Sequence, residues 1–321
     1  MSLLRESAAS ASEDLAIGIA PMSIHIGAEI SGVDLKQPMT VEQHRDVLDA
    51  LLKWKVVFFR DQNLDHAEHI NFARQIGQPT IGHAVFGHVE GHPEVYSIAK
   101  NRTANSQSEE RLVTPWAGWH TDITAAINPP MASILRGVTI PPFGGDTCWT
   151  NLAVAYDALS EPVKRFVEGL RGIHAFVPPK VQTATGGYEK NIKSRPLSSE
   201  HPLVTVHPET GERLLYVSPG FLKSVVGLSP SESRKILEML WEHLVRPEFT
   251  VRFKWNAGDI AMWDNRATAH LAPSDIFSTD FDRQLYRITL VGDVPTGVDG
   301  TPSKSLDGAP ILSVEEELAN R

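Results

Sequence analysis

The stretch LVTVHPETGERLLYV, residues 203–217, sets two short apolar runs on either side of Pro208-Glu209-Thr210-Gly211-Glu212. Turn-forming residues between such runs predict a β-hairpin. Working outward, further β-type runs occupy 56–59, 132–135, 173–177, 249–255, 260–263 and 286–291. Asn256-Ala257-Gly258-Asp259 predicts a second hairpin between the strands around it. Helix signals are fewer. Thr40 with Gln43 and Asp65 with Glu68 open two helices, each followed by an apolar stripe. Ser160 precedes Pro162 and the stripe Val163, Phe166, Val167 and Leu170, with Gly172 as the stop; Ser229-Pro230 opens the last, which Pro247 ends. Strands and helices do not alternate regularly, which argues against a doubly wound parallel sheet. A mainly β fold, a sandwich or jelly roll with helices packed outside, fits better.

The chain has 321 residues, room for two domains or one large β domain, and the reading favours one. Residues 1–22 are expected to form a loose tail, 23–300 a single domain and 301–321 a C-terminal extension. The polar, aperiodic stretch 179–200 is expected to be a loop acting as a lid. Apolar residues make up 41 % and charged ones 21 %, which excludes a disordered or collagen-like chain. A net charge of −9 makes nucleic acid and anionic membranes poor partners. No apolar run reaches the length of a membrane helix, and a single cysteine, Cys148, suits the cytosol.

Thirteen histidines and 39 acids give about one or two His-x-acid pairs by chance, and the chain has six. His44/Asp46 and His66/Glu68 fall on helices, where residues two apart point away from each other. His207/Glu209 sits at the hairpin turn and reads as exposed. On an extended segment residues i and i+2 share a face, so His120/Asp122, in Trp-His-Thr-Asp-Ile-Thr, is able to chelate. His88/Glu90 and His92/Glu94 stay as further candidate pairs, although the glycine and proline around them suggest a surface loop. His270, after Trp263-Asp264-Asn265-Arg266, is the best-placed third ligand. Two imidazoles and one carboxylate suit Fe(II) with three open positions, and also catalytic zinc. Arg283 and Arg287, four apart on an expected strand, project to one face; buried guanidiniums require anions, which a dicarboxylate and an anionic substrate would supply.

These fragments, with Gly144-Gly145-Asp146-Thr147, Gly292-Asp293, Gly27 to Asp34 and Val-Val-Phe-Phe-Arg at 56–60, resemble the TauD/TfdA family of Fe(II)- and 2-oxoglutarate-dependent oxygenases, over about residues 24–294. The resemblance implies a double-stranded β-helix (jelly roll) holding Fe(II) between His120, Asp122 and His270. It implies 2-oxoglutarate and O2 as co-substrates, the far carboxylate of 2-oxoglutarate meeting Arg283 and Thr147. His83, Ile123 and Arg287 fall where the family holds its substrate, Arg287 serving the co-substrate side as well. Phe86 and Trp116 replace polar residues of the taurine enzyme, which points to a substrate with a larger apolar tail. The stretches 207–213 and 262–268 look closest to the alkylsulfatase branch. The expected activity is hydroxylation of a small anionic molecule beside a heteroatom, releasing succinate, CO2 and an aldehyde.

Aryloxyalkanoate ether cleavage, biosynthetic hydroxylation, a zinc-dependent hydrolase and a non-catalytic jelly-roll binding protein stand as alternatives. Assembly into a dimer or tetramer of identical chains is left open.

Overall fold

The computed structural model describes residues 16–83, 87–99, 114–176 and 197–320. Sixteen strands among these residues form four sheets. The largest has seven strands in the order β1 (Gly18–Pro21), β2 (Ala28–Ser31), β3 (Val56–Phe59), β13 (Ile260–Asp264), β5 (Ala132–Thr139), β15 (Gln284–Leu290) and β4 (Tyr96–Ala99). A three-stranded sheet runs β12 (Thr250–Phe253), β6 (Thr147–Asn151), β14 (Thr268–Leu271). A four-stranded one runs β11 (Leu222–Val225), β7 (Arg171–Phe176), β8 (Leu197–Pro202), β16 (Lys304–Asp307). The quoted hairpin forms as expected, β9 (Val204–Val206) pairing antiparallel with β10 (Arg213–Leu215).

The two-residue period of the strands divides the core. In β3, Val57 and Phe59 pack outward with α1 (Val41–Trp54) and α2 (His66–Ile76). Val56 and Phe58 turn inward and meet Trp149, Val251 and Phe253 of the three-stranded sheet. Phe58 stacks on Phe253 at 4.1 Å and meets Trp149 edge-on at 5.4 Å. The seven-stranded and three-stranded sheets therefore lie face to face. A third cluster packs α3 (Leu152–Asp157) and α5 (Pro230–Leu244) with residues of β9, β10 and β11, while α4 (Glu161–Glu168) contributes Val167. A last helix, α6, spans Val314–Ala319.

Capping boxes close at Thr40/Gln43, Asp65/Glu68 and Ser229/Glu232, where the spacing placed them. Other readings change. The helix after Ser160 stops at Gly169, and Gly172 lies inside β7; Phe166 stands 46 % exposed instead of joining a buried stripe. Asn256–Asp259 makes no hairpin, because β12 joins the three-stranded sheet and β13 the seven-stranded one. The turn there carries the chain between sheets. β1 begins at Gly18, inside the expected tail, and pairs with β2. In the expected C-terminal extension, β16 pairs with β8 and the amide of Val314 donates to Pro79. Residues 197–200 of the expected lid belong to β8, and residues 179–196 of it lie outside the described residues.

Two core histidines make stability depend on pH. His69 on α2 is fully buried, and burial, with Arg136 nearby, pushes it down to about 3. His201 is pushed down to about 4 by burial, although it bonds the Thr124 carbonyl at 2.8 Å. Both stay neutral in the folded chain but titrate near pH 6.5 when it unfolds. Their stabilisation is complete above pH 6.5 and is lost as pH falls toward 4, at up to about 1.4 kcal/mol per pH unit for each. Thermal melts at pH 7.5, 6 and 5 should show a falling Tm, with a shallower fall in His69→Phe. A flat Tm across that range contradicts the assignment.

Candidate active site

The site lies between the two facing sheets. His270 stands on β14, and its backbone exchanges two hydrogen bonds with His120, at 2.9 and 2.7 Å. This isolated bridge sets the imidazoles side by side, 4.2 Å between centroids. A Cβ at residue 220 would stand 2.9 Å from the Cβ of His120, so Gly220 permits the close approach of its loop. The segment is not extended through residue 124 as the sequence suggested. After His120 the chain turns, with Ile123 at φ +47°, and the turn swings Asp122 back toward both rings. Thr121 steadies the turn by donating to the Thr268 carbonyl at 2.7 Å.

The Nε2 atoms of His120 and His270 lie 4.0 and 3.9 Å from Asp122 Oδ1. One donor atom from each residue falls within 4.8 Å of the others, the one such group of three among the described residues. His120 Nδ1 stands 3.0 Å from the Gly118 carbonyl, so it carries the proton and leaves the Nε2 lone pair facing inward. His270 is buried, which pushes its pKa down to about 3 and keeps it a neutral donor. Burial opposes the charge on Asp122, but Arg287, His270, His120 and the Ser133 hydroxyl outweigh it and hold the carboxyl well below its usual range. Two neutral imidazoles and one ionised carboxylate converging on one point fit a divalent ion such as Fe(II).

Arg287 is buried and donates to Asp122 Oδ1 at 2.5 Å, while its Nε is buried without a partner among the described residues. The expectation that external anions neutralise both arginines is thus corrected for Arg287, which finds its anion within the chain. Arg283 precedes β15, and a register shift between Gln284 and Leu285 breaks the regular alternation assumed for the pair. Arg283 is also buried, and its Nε donates to the Gly145 carbonyl at 2.8 Å. Gly144 and Gly145, at φ +74° and +69°, make that approach possible; a Cβ at Gly145 would stand 2.9 Å from Arg283 Cδ. Burial lowers the Arg283 pKa to about 10, so it remains cationic at neutral pH. The acids nearest it, Asp275 and Asp146, are bonded to Arg252 at 3.0 and 2.7 Å. Thr147, two residues past Gly145, is buried and accepts from the Trp255 indole at 3.0 Å, which leaves its hydroxyl proton available to a ligand.

Among the expected substrate residues, His83 packs against Tyr96 at 5.0 Å, and the Arg287 guanidinium lies over the same ring at 5.4 Å. Tyr96 thus joins two residues that the sequence treated separately, and no pattern in the sequence marks it. Ile123, Phe176 and Phe221 pack against the small cluster of Ala125, Ala126 and Leu197, and the Phe221 ring stands 6.5 Å from His120. Trp116 lies against Trp241 of α5, and Phe86 falls outside the described residues. His207, read as an exposed turn residue, is buried and bonds Asp264 Oδ2 at 2.9 Å. The hairpin folds onto β13, a contact across 57 residues that local spacing does not reveal. Among the described residues His88, Glu90, His92 and Glu94 join no group of three metal donors, and Glu94 pairs with Arg74.

A sequence profile described as "Taurine catabolism dioxygenase TauD, TfdA family" matches residues 18–289. The chain is 38 % identical to an alpha-ketoglutarate-dependent sulfate ester dioxygenase of Pseudomonas putida, over 92 % of this chain and 97 % of that one. It is also 38 % identical to an alkylsulfatase of Acinetobacter baylyi, over 87 % and 86 % of the two chains. A crystal structure described as a taurine dioxygenase from Burkholderia xenovorans superposes with a TM-score of 0.82 at 60 % identity, covering 92 % of this chain and 96 % of that one. No described helix is long and apolar enough to cross a membrane.

Proposed function

Because the chain belongs to the TauD/TfdA family and is a 2-oxoglutarate-dependent dioxygenase that uses Fe(II) and O2, we propose that it cleaves small alkyl sulfate esters. The observation that carries this substrate class is the likeness, over nearly the whole chain, to a sulfate ester dioxygenase. Two features of the site agree with it. The buried Arg287 has an open Nε donor for an anionic head, and the apolar group around Ile123, reaching His120 through Phe221, suits an alkyl tail.

In this reading the facing seven- and three-stranded sheets form a double-stranded β-helix, within one oxygenase domain that includes β1, β16 and α6. His120, Asp122 and His270 hold the metal. Arg283 and Thr147 hold the far carboxylate of 2-oxoglutarate, the planar guanidinium fork matching its two oxygens. His83, Ile123 and Arg287 meet the substrate. When bound, Fe(II) and 2-oxoglutarate supply the oxidation: O2 is consumed, 2-oxoglutarate becomes succinate and CO2, and one substrate C–H becomes C–OH. Arg287 fixes the sulfate so that the carbon bearing the ester oxygen, not the far end of the tail, faces the reacting centre. The hydroxylated carbon then expels sulfate as its O–H proton leaves, giving an aldehyde and hydrogen sulfate.

The test is succinate, aldehyde and sulfate release from a medium-chain alkyl sulfate by the Fe(II)-loaded protein, beside taurine and an aryloxyacetate. Equal amounts of the three products support the reading. Sulfite from taurine with no turnover of the alkyl sulfate would move the assignment to sulfonates, the reading that the 60 % identical structure favours.

A further inference from the structure

Asp122 has two oxygens, and the structure treats them differently. Oδ1 faces the Nε2 atoms of both histidines and accepts from Arg287 at 2.5 Å, whereas Oδ2 points away from the rings and accepts a hydrogen bond from Ser133 Oγ at 2.7 Å. Ser133 Oγ in turn accepts from Asn265 Nδ2 at 2.8 Å, and Asn265 Oδ1 accepts from the Trp263 indole at 2.8 Å. All four side chains are buried, from 3 % exposure at Asp122 to none at Ser133.

The chemistry of the groups gives this chain one direction. An indole N–H can only donate, so Asn265 must turn its carbonyl oxygen toward Trp263 and its NH2 toward Ser133. Ser133 Oγ, already accepting, has one proton and sends it to Asp122. The backbone holds the parts in place. Trp263 and Ser133 are cross-strand partners between β13 and β5, and the Asn265 amide donates to the Met131 carbonyl at 2.9 Å.

We propose that Trp263, Asn265 and Ser133 form a one-directional donor chain that fixes Asp122 as a one-oxygen metal ligand. Ser133 and Asn265 are positioning residues. Turning the carboxylate to offer both oxygens would break the Ser133 hydrogen bond, so a bound metal would meet Oδ1 and a coordination position would stay open to 2-oxoglutarate and O2. The turn at Ile123 leaves Asp122 without a regular strand to set its side chain, and the donor chain supplies that constraint. This inference rests on the proposed ligand role of Asp122.

The experiment is titration of the full-length apo-protein with Co(II) in the absence of 2-oxoglutarate, recording the dissociation constant and the visible d–d spectrum. Wild type, Asp122→Ala, Ser133→Ala, Ser133→Thr and Asn265→Asp are compared, with Tm measured for each. Ser133→Ala should weaken Co(II) binding about 10- to 100-fold and shift the d–d bands, in line with loss of an outer-shell partner. Ser133→Thr keeps the hydroxyl and should bind within about twofold of wild type. Asn265→Asp replaces the NH2 donor by an acceptor, so the Ser133 proton is drawn away from Asp122 and the spectrum should follow that of Ser133→Ala. Binding and spectra unchanged in both Ser133→Ala and Asn265→Asp would overturn the donor chain. If only one of the two folds, its spectrum decides. Failure of wild type to bind Co(II), or full retention of binding by Asp122→Ala, would overturn the ligand reading itself and with it this inference.

Discussion

Asp122→Ala should lose measurable metal binding and lower turnover more than about a thousandfold, since outer-shell partners alone are worth 10- to 100-fold. Asp122 is the anionic donor of the three, and without it two neutral imidazoles face a buried guanidinium. The same change strands Arg287, whose bond to Asp122 spans 2.5 Å with both groups buried. Breaking a buried pair from one side costs about 3–5 kcal/mol. The single variant should therefore melt well below wild type. The double variant Asp122→Ala/Arg287→Met, with no stranded charge, should recover much of that Tm while binding no metal. Metal affinity of Asp122→Ala within tenfold of wild type would refute the ligand role. An unchanged Tm would show that Arg287 draws its stabilisation from another source.

Arg283→Met should weaken 2-oxoglutarate binding about 30- to 5000-fold, the factor that a loss of about 2–5 kcal/mol corresponds to. Arg283 is buried, its Nε is held by Gly145, and its nearest acids are engaged by Arg252. A guanidinium so placed suits an anionic ligand such as the far carboxylate of 2-oxoglutarate. The variant should fold as well as wild type or better, because it removes a buried cation whose carboxylate neighbours are committed elsewhere. Arg283→Lys should fall between the two, since an ammonium supplies the charge but not the two-pronged fork. The measurement is quenching of tryptophan fluorescence by 2-oxoglutarate in the Mn(II)-loaded protein. A dissociation constant for Arg283→Met within threefold of wild type would remove Arg283 from the co-substrate site.

Much of this was legible in the residues, for identifiable reasons. Capping boxes and the 208–212 turn depend on neighbours within a few positions, so Thr40, Asp65, Ser229 and the β9–β10 hairpin followed directly from spacing. His120, Asp122 and His270 were nominated by side-chain chemistry and by filtering out pairs on helices, and the fold brings the three together. Where the reading failed, the deciding contact was distant. His207 seemed an exposed turn residue because its partner, Asp264, lies on another strand. The turn at 256–259 seemed a hairpin because nothing local says that β12 and β13 enter different sheets.

By itself the sequence determined the element types, the donor chemistry of the site and the need to neutralise two arginines. Those properties belong to single residues and their near neighbours. Only the tertiary structure decided that Arg287 answers Asp122, that Tyr96 lies between His83 and Arg287, and that Ser133 and Asn265 bind the far oxygen of Asp122. Each of these contacts joins residues on different strands or turns. Which side chains meet there is set by register and by the packing of one sheet on another, and a one-residue slip in β5 or β15 would turn Ser133 or Arg287 to the opposite face.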